Sequence, residues 1–154
     1  MSLAIGQKAP DFILPSTSGR NFHLSKDRLL KPLIIYFYPK DFTPGCTQEA
    51  CDFRDTFELF REMDIEVIGI SRDSIDTHHK FKESNKLPFE LLSDSDGKVA
   101  KLYDAVLPLV NFTKRVTYLL DKQHTIVSSY QNLFGATKHI QEMIKQVKSG
   151  KKIS

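Results

Sequence analysis

Residues 41–51 read Asp-Phe-Thr-Pro-Gly-Cys-Thr-Gln-Glu-Ala-Cys, and both cysteines of the chain, Cys46 and Cys51, fall in this segment. The residue types describe a helix start. Thr43 can cap a helix, and Pro44 can fill its first position, where a missing N–H costs nothing. Gly45 lets another group come close to the backbone. Cys46 then lies in the first turn, where free N–H groups and the helix dipole favour the thiolate, the nucleophilic form. Polar Thr43, Thr47 and Gln48 surround it. Free cysteine is also among the residues most often buried as a small hydrophobe. Cys51 stands beside Ala50 and, taken alone, reads as core.

Several chemistries can be weighed for this pair. A structural disulfide is disfavoured in a reducing compartment. A zinc centre takes four ligands, and besides the two cysteines the chain offers five scattered histidines (23, 78, 79, 124, 139) without a familiar ligand spacing. His78 and His79 would point about 100° apart on a helix and are expected in solvent. A dithiol oxidoreductase carries Cys-x-x-Cys, whereas four residues separate these two. A cysteine–histidine nucleophile needs a histidine and an orienting partner, which the sequence does not locate. What remains is a reactive thiolate with a second thiol one helix segment away, suited to a sulfenic acid followed by a disulfide.

The elements that must position these residues follow from periodicity. Asp11–Leu14 and Asn21–Leu24 alternate around a turn at Ser16–Gly19, a small hairpin. Leu33–Tyr38 is continuously apolar, aromatic and β-branched, as a central strand buried on both faces would be. Pro39–Gly45 is a loop. Ala50, Phe53, Phe57, Phe60 and Met63 then recur at helical spacing. Ile65–Ser71 is a second strand, and Ser74 caps a helix to about Asn85. Phe89–Leu92 is a short strand, Asp94–Gly97 a turn and Val99–Tyr103 one or two helical turns. Residues 104–114 are irregular. Arg115–Leu120 and Thr125–Tyr130 form a hairpin, and Gly135–Lys148 is a closing helix. The order β-α-β-α-β, a hairpin and a helix predicts an α/β chain, a central mixed sheet flanked by helices, with the connectivity of a thioredoxin-like fold and an N-terminal β-hairpin extension. Without repeats or linkers, residues 1–154 are expected to form one domain.

Composition narrows the function classes. The chain has 154 residues, 40% hydrophobic and 27% charged, with a net charge of +3. Residues 138–154 hold five Lys and one Glu, a local +4, so the other 137 residues sum to −1. The basic excess belongs to a solvated helix end, and no nucleic-acid partner is expected. The longest apolar run, Pro32–Tyr38, is far short of the roughly 20 residues that span a bilayer, so no membrane partner is expected. Met1–Pro10 has no apolar targeting core, and the cytoplasm is the expected compartment.

Thr43-Pro-Gly-Cys-Thr-Gln-Glu-Ala-Cys51 resembles the active-site segment of peroxiredoxins of the peroxiredoxin Q, or bacterioferritin comigratory protein, group. The likeness extends through Gly6-Gln-Lys-Ala-Pro-Asp-Phe12, Tyr36-Phe-Tyr-Pro39, Val67-Ile-Gly-Ile-Ser71, Leu92-Ser-Asp94 and Arg115-Val-Thr-Tyr-Leu-Leu-Asp121. It implies a thiol peroxidase without a cofactor, acting on hydrogen peroxide and organic hydroperoxides. Cys46 matches the peroxidatic cysteine and Thr43 the hydroxyl that hydrogen-bonds the peroxide. Arg115 matches the arginine that holds the thiolate and polarises the peroxide. Glu49 matches an acidic residue found one turn after the cysteine. Cys51 matches the resolving cysteine of members that carry it in the same helix. A thioredoxin-type reductant would complete the cycle. Apart from the resemblance, Arg115 also reads as a surface charge at a sheet edge.

The chain departs from that pattern in Tyr103–Arg115, which is short, apolar and free of glycine. Leu107, Leu109, Val110 and Phe112 can line the site, form a self-association patch or simply pack. A monomer or weak homodimer is expected. The competing reading of the whole chain is a non-catalytic thioredoxin-like module that binds a partner or senses redox state.

Overall fold

Strands β1 (Ile13–Pro15) and β2 (Asn21–His23) pair antiparallel around a turn in which Gly19, at φ +90°, donates to the Ser16 carbonyl. The protein is described by a computed structural model over residues 3–107, 109–110, 112–131 and Lys145. Leu24, expected to end the hairpin, instead opens a helical turn, α1 (Leu24–Asp27). The cause is local: the Asp27 carboxylate accepts from His23 N–H and that of Asp11 from Ser25 N–H. These acceptors serve N–H groups that a helix start leaves without backbone partners.

Strand β3 (Leu33–Phe37) is buried at every position, as its apolar run predicts. It leads into α2 (Pro44–Glu62), then β4 (Glu66–Ser71), α3 (Ile75–Asn85), β5 (Glu90–Ser93) and α4 (Lys98–Leu102). Strands β6 (Val116–Leu120) and β7 (Ile126–Gln131) follow. The five strands lie in the order β5-β4-β3-β6-β7. The β3–β4 and β4–β5 pairs are parallel, whereas β3–β6 and β6–β7 are antiparallel. The expected helix at Gly135–Lys148 lies, apart from Lys145, outside the described residues.

Successive side chains of a strand point to opposite faces, so β3 feeds two cores. Leu33, Ile35 and Phe37 pack with Phe12, Val99, Tyr103 and Tyr118 on one face. Ile34 and Tyr36, with Tyr38 just beyond the strand, pack on the other with Ala50, Phe53 and Phe60 of α2 and Phe81 of α3. Both crossover helices thus cover the same face, as two successive crossovers of one hand require. Each fully buried Phe contributes about 1.5–3 kcal/mol. Cys46 belongs to this second core, and the end of β3 delivers the chain to it.

Gly69 sits in the middle of β4, paired in register with Tyr36 and Leu91. A Cβ there would lie 2.7 Å from Tyr36 Cζ, 2.8 Å from its hydroxyl oxygen and 2.9 Å from Leu91 Cδ2. Tyr36 in turn stacks on Phe53 of α2, ring centroids 4.7 Å apart. Gly69→Ala is therefore expected to destabilise the protein by about 1–3 kcal/mol, the usual cost of overpacking. Urea unfolding measures it, and an unchanged midpoint would show that Tyr36 has room to move.

Candidate active site

Helix α2 begins as its sequence predicts, with Thr43 at the N-cap in an extended conformation and Pro44 in the first turn. One detail differs. The Thr43 side chain makes no capping bond; its hydroxyl donates to the Lys40 carbonyl at 2.8 Å. Both bonds are local and similar in strength, so the loop geometry decides between them. The Thr43 oxygen keeps lone pairs for a further donor.

Cys46 is a free thiol, 2% exposed, in the first turn of α2. Arg115, just before β6, reaches it: Nη2 donates to Cys46 Sγ at 3.4 Å. The same guanidinium uses Nη1 to hold Glu49 Oε1. Glu49 lies three residues after Cys46, hence on the same helix face. Arg115 is only 8% exposed and adjoins an interior strand, so the reading as a sheet-edge surface charge is overturned. A Cβ on Gly45 would sit 3.1 Å from Arg115 Nη2, and that proximity is what the glycine permits. Arg115 thus brings Cys46 and Glu49 together in the first turns of α2, with Thr43 at its N-cap, beyond the carboxyl end of β3, where α/β sheets place their sites.

The electrostatics are set by burial. Glu49 is fully buried, its Oε2 lacks a hydrogen-bond partner, and desolvation pushes its pKa up to about 7 against the opposing pull of Arg115. Burial works against the charge of Arg115, but Glu49 and Cys46 outweigh it and raise its pKa. Arg115 therefore stays cationic, while Glu49 ionises in the neutral range. Above this group, burial and then the charges of Glu49, Asp41 and Cys46 push the Tyr36 phenol well above its ordinary value.

Cys51 lies further along α2, half-buried, with Sγ 3.7 Å from Asn85 Oδ1 at the end of α3. It is not fully sequestered core. Its five-residue offset from Cys46 leaves the two thiols on different parts of one intact helix. Of the apolar run before Arg115, Leu109, Val110 and Phe112 are exposed, so simple packing does not account for them.

His78 overturns its expected position in solvent. It is fully buried, whereas His79 is exposed. Nδ1 lies 2.6 Å from Asp41 Oδ2, and Nε2 lies 2.9 Å from the Leu92 carbonyl. Tyr38 donates its hydroxyl to Asp41 Oδ1 at 2.5 Å, and Asp41 N–H donates to Asp73 Oδ2 at 2.9 Å. Asp41, Asp73 and His78 bring potential metal-ligand atoms within 4.8 Å of one another. Those atoms are already engaged in these bonds, so the group reads as a hydrogen-bonded cluster.

The AhpC/TSA family model matches residues 5–129. The chain is 43% identical over 154 residues to a protein of Bacillus subtilis named peroxiredoxin Bcp, covering 96% of this chain and 97% of that one. It is 45% identical over 145 residues to the chloroplastic peroxiredoxin Q of Oryza sativa subsp. japonica, covering 94% of this chain and 66% of the rice protein. Its fold matches the crystal structure of peroxidoxin BcpB from Mycobacterium tuberculosis with a TM-score of 0.87 at 31% identity, over 96% of this chain and 98% of that one.

Glu49 has a measurable signature. Its folded pKa of about 7 exceeds the ordinary 4.5, so between these values the native state holds a proton that the unfolded state releases. Its contribution to stability is fully present below about pH 4.5 and is lost as pH rises through about 7. Glu49→Gln, neutral throughout, is expected to flatten that part of the profile. Urea midpoints measured from about pH 5 to pH 8 check this; an equally steep fall in the variant would assign the slope to another group.

Proposed function

This chain belongs to the AhpC/TSA family, among the peroxiredoxins of the Bcp and Q type, and is a thiol peroxidase; on that premise we propose that Cys46 is its peroxidatic cysteine and Cys51 its resolving one. The observation that carries the reading is the guanidinium of Arg115 donating to Cys46 Sγ at 3.4 Å in a buried helix start. The Cys46 thiolate attacks the terminal oxygen of a hydroperoxide. The O–O bond breaks, the sulfur is oxidised to a sulfenic acid, and the departing oxygen leaves as water or alcohol after taking a proton. Arg115 stabilises the charge that develops on that oxygen, with donors fixed in position beforehand. The Thr43 oxygen accepts the hydrogen of the hydroperoxide and orients it. Glu49 holds Arg115 in place.

The second half of the cycle joins the cysteines. The Cys51 thiolate attacks the Cys46 sulfenic sulfur, the S–O bond breaks, and hydroxide leaves as water on protonation. A thioredoxin-type dithiol then reduces the disulfide by exchange. The substrates proposed are hydrogen peroxide and organic hydroperoxides. The compartment proposed is the cytoplasm, which keeps such dithiols reduced. No described helix is long and apolar enough to cross a membrane.

Spacing makes the second step a conformational one. Five residues on a helix mean about 7.5 Å of rise and about 140° of rotation. A disulfide wants Cα atoms about 4.4–6.8 Å apart with converging Cβ vectors. Both cysteines are helical in the reduced chain, so α2 must unwind locally before the bond closes.

Steady-state peroxide consumption with thioredoxin and its reductase tests the proposal. Cys46→Ser is expected to abolish turnover. Cys51→Ser is expected to keep one rapid oxidation and lose recycling by thioredoxin; retained turnover would mean that an external thiol resolves the sulfenate. Oxidation of the wild type should speed amide exchange across residues 44–54, and unchanged exchange with a confirmed intramolecular disulfide would refute the unwinding. Stopped-flow mixing with one equivalent of peroxide separates an enzyme from a redox-sensing module: a Cys46 no faster than free cysteine would favour the module.

Arg115→Lys provides a separate check. Lysine keeps the charge but loses the planar fork that reaches both Cys46 and Glu49. The rate with peroxide is expected to fall by at least about tenfold, or about 1.4 kcal/mol of barrier. A wild-type rate in this variant would remove Arg115 from the mechanism.

A further inference from the structure

The loop that delivers Cys46 to its site is tied to α3 as well as to α2, which it leads into. Phe42, immediately before the N-cap, has φ 64°, a left-handed conformation that costs a bulky residue of order 1 kcal/mol or more and persists only where the surroundings enforce it. Three attachments do so. Asp41 is bound to the buried His78 ring through Oδ2. Its backbone N–H is bound to Asp73, next to the start of α3. The exposed Phe42 ring meets Phe81 of α3 edge-on, centroids 5.2 Å apart. The His78 ring is itself fixed, because Nε2 faces a carbonyl, which can only accept, and so carries a hydrogen. Nδ1 and Asp41 share another across 2.6 Å. Further along the same helix, Asn85 touches Cys51. Helix α3 therefore grips the chain on both sides of the segment that has to unwind.

We propose that the buried His78–Asp41 pair is a latch. It holds the strained loop and the start of α2 in the geometry that attacks peroxide, and its release sets how fast oxidised Cys46 reaches Cys51. His78 is a positioning residue: it touches neither peroxide nor sulfur, and acts through Asp41. The proposal rests on the Cys46–Cys51 pairing given above. A latch has a consequence that simple packing lacks. Weakening it must slow the step that needs the ordered loop and speed the step that needs the unwound one. It must also lower the fraction of Cys46 driven on to sulfinic acid by excess peroxide, because the sulfenic acid leaves the attacking geometry sooner.

The test resolves the two steps by stopped flow, one equivalent of peroxide at a time, and measures sulfinate by mass spectrometry after excess peroxide. In His78→Ala, disulfide formation is expected to accelerate about fivefold, equivalent to about 1 kcal/mol, the worth of an ordinary hydrogen bond. Peroxide oxidation should slow and sulfinate should fall. Asp41→Asn shifts both rates less, since its amide can donate to a neutral His78 while its oxygen still accepts from Tyr38. If His78→Ala does not fold, Tyr38→Phe, which removes one bond to Asp41, decides the matter and must shift the two rates in the same opposed directions. Rates that stay unchanged, or slow together, overturn the latch while leaving the peroxidase reading intact. A wild type that forms no Cys46–Cys51 disulfide overturns the pairing, and the latch with it.

Discussion

One guanidinium shared by two buried acids organises this site. Arg115 lies between Cys46 Sγ and Glu49 Oε1 where little water reaches. A charge in such a place is costly alone, and removing one partner of a buried pair leaves the other uncompensated. The surrounding geometry serves that arrangement. Antiparallel pairing of β6 with β3 carries Arg115 inward. The three-residue spacing of Cys46 and Glu49 sets both acids on one helix face. The missing Cβ of Gly45 leaves room for Nη2. Because burial raises the pKa of the Glu49 carboxyl to about 7, the charge that faces the arginine from that side changes near neutrality.

The parts of the site legible in the sequence are those fixed by local rules. The helix start at Thr43-Pro44-Gly45, Cys46 in its first turn and the buried run of β3 all follow from residue types at short range. Glu49 and Arg115 do not, because they meet across 66 positions of chain; only resemblance to a known pattern assigns them to one site. Thr43 shows the limit even of local reasoning, since its hydroxyl had a cap and a carbonyl within reach and took the carbonyl.

The burial of His78 is hard to read from sequence for a different reason. Helix α3 reads Ile-Asp-Thr-His-His-Lys-Phe-Lys-Glu-Ser-Asn, too polar to announce a buried stripe. A signal was nevertheless present. Phe81 is the one large aromatic in that helix, and three residues before it on the same face stands His78, not His79. Both prove buried. A helix with little apolar surface buries what lies beside its single anchor, and a polar side chain there must find partners. Asp41 and the Leu92 carbonyl are those partners. Their positions depend on how β5 and the loop after β3 come together, which no periodicity encodes.

Cys46 is also a packing residue, a member of the core that holds Ala50 and Phe53. Drawing it out of that core leaves its volume vacant beneath the sheet. Voids of this kind cost stability in proportion to their size, because neighbours relax only partly to fill them. Each turnover would then pass through a thermally weaker molecule. On the proposed cycle, melting temperature would report redox state, and a chain stalled without reductant would be the form that heat and proteases attack first.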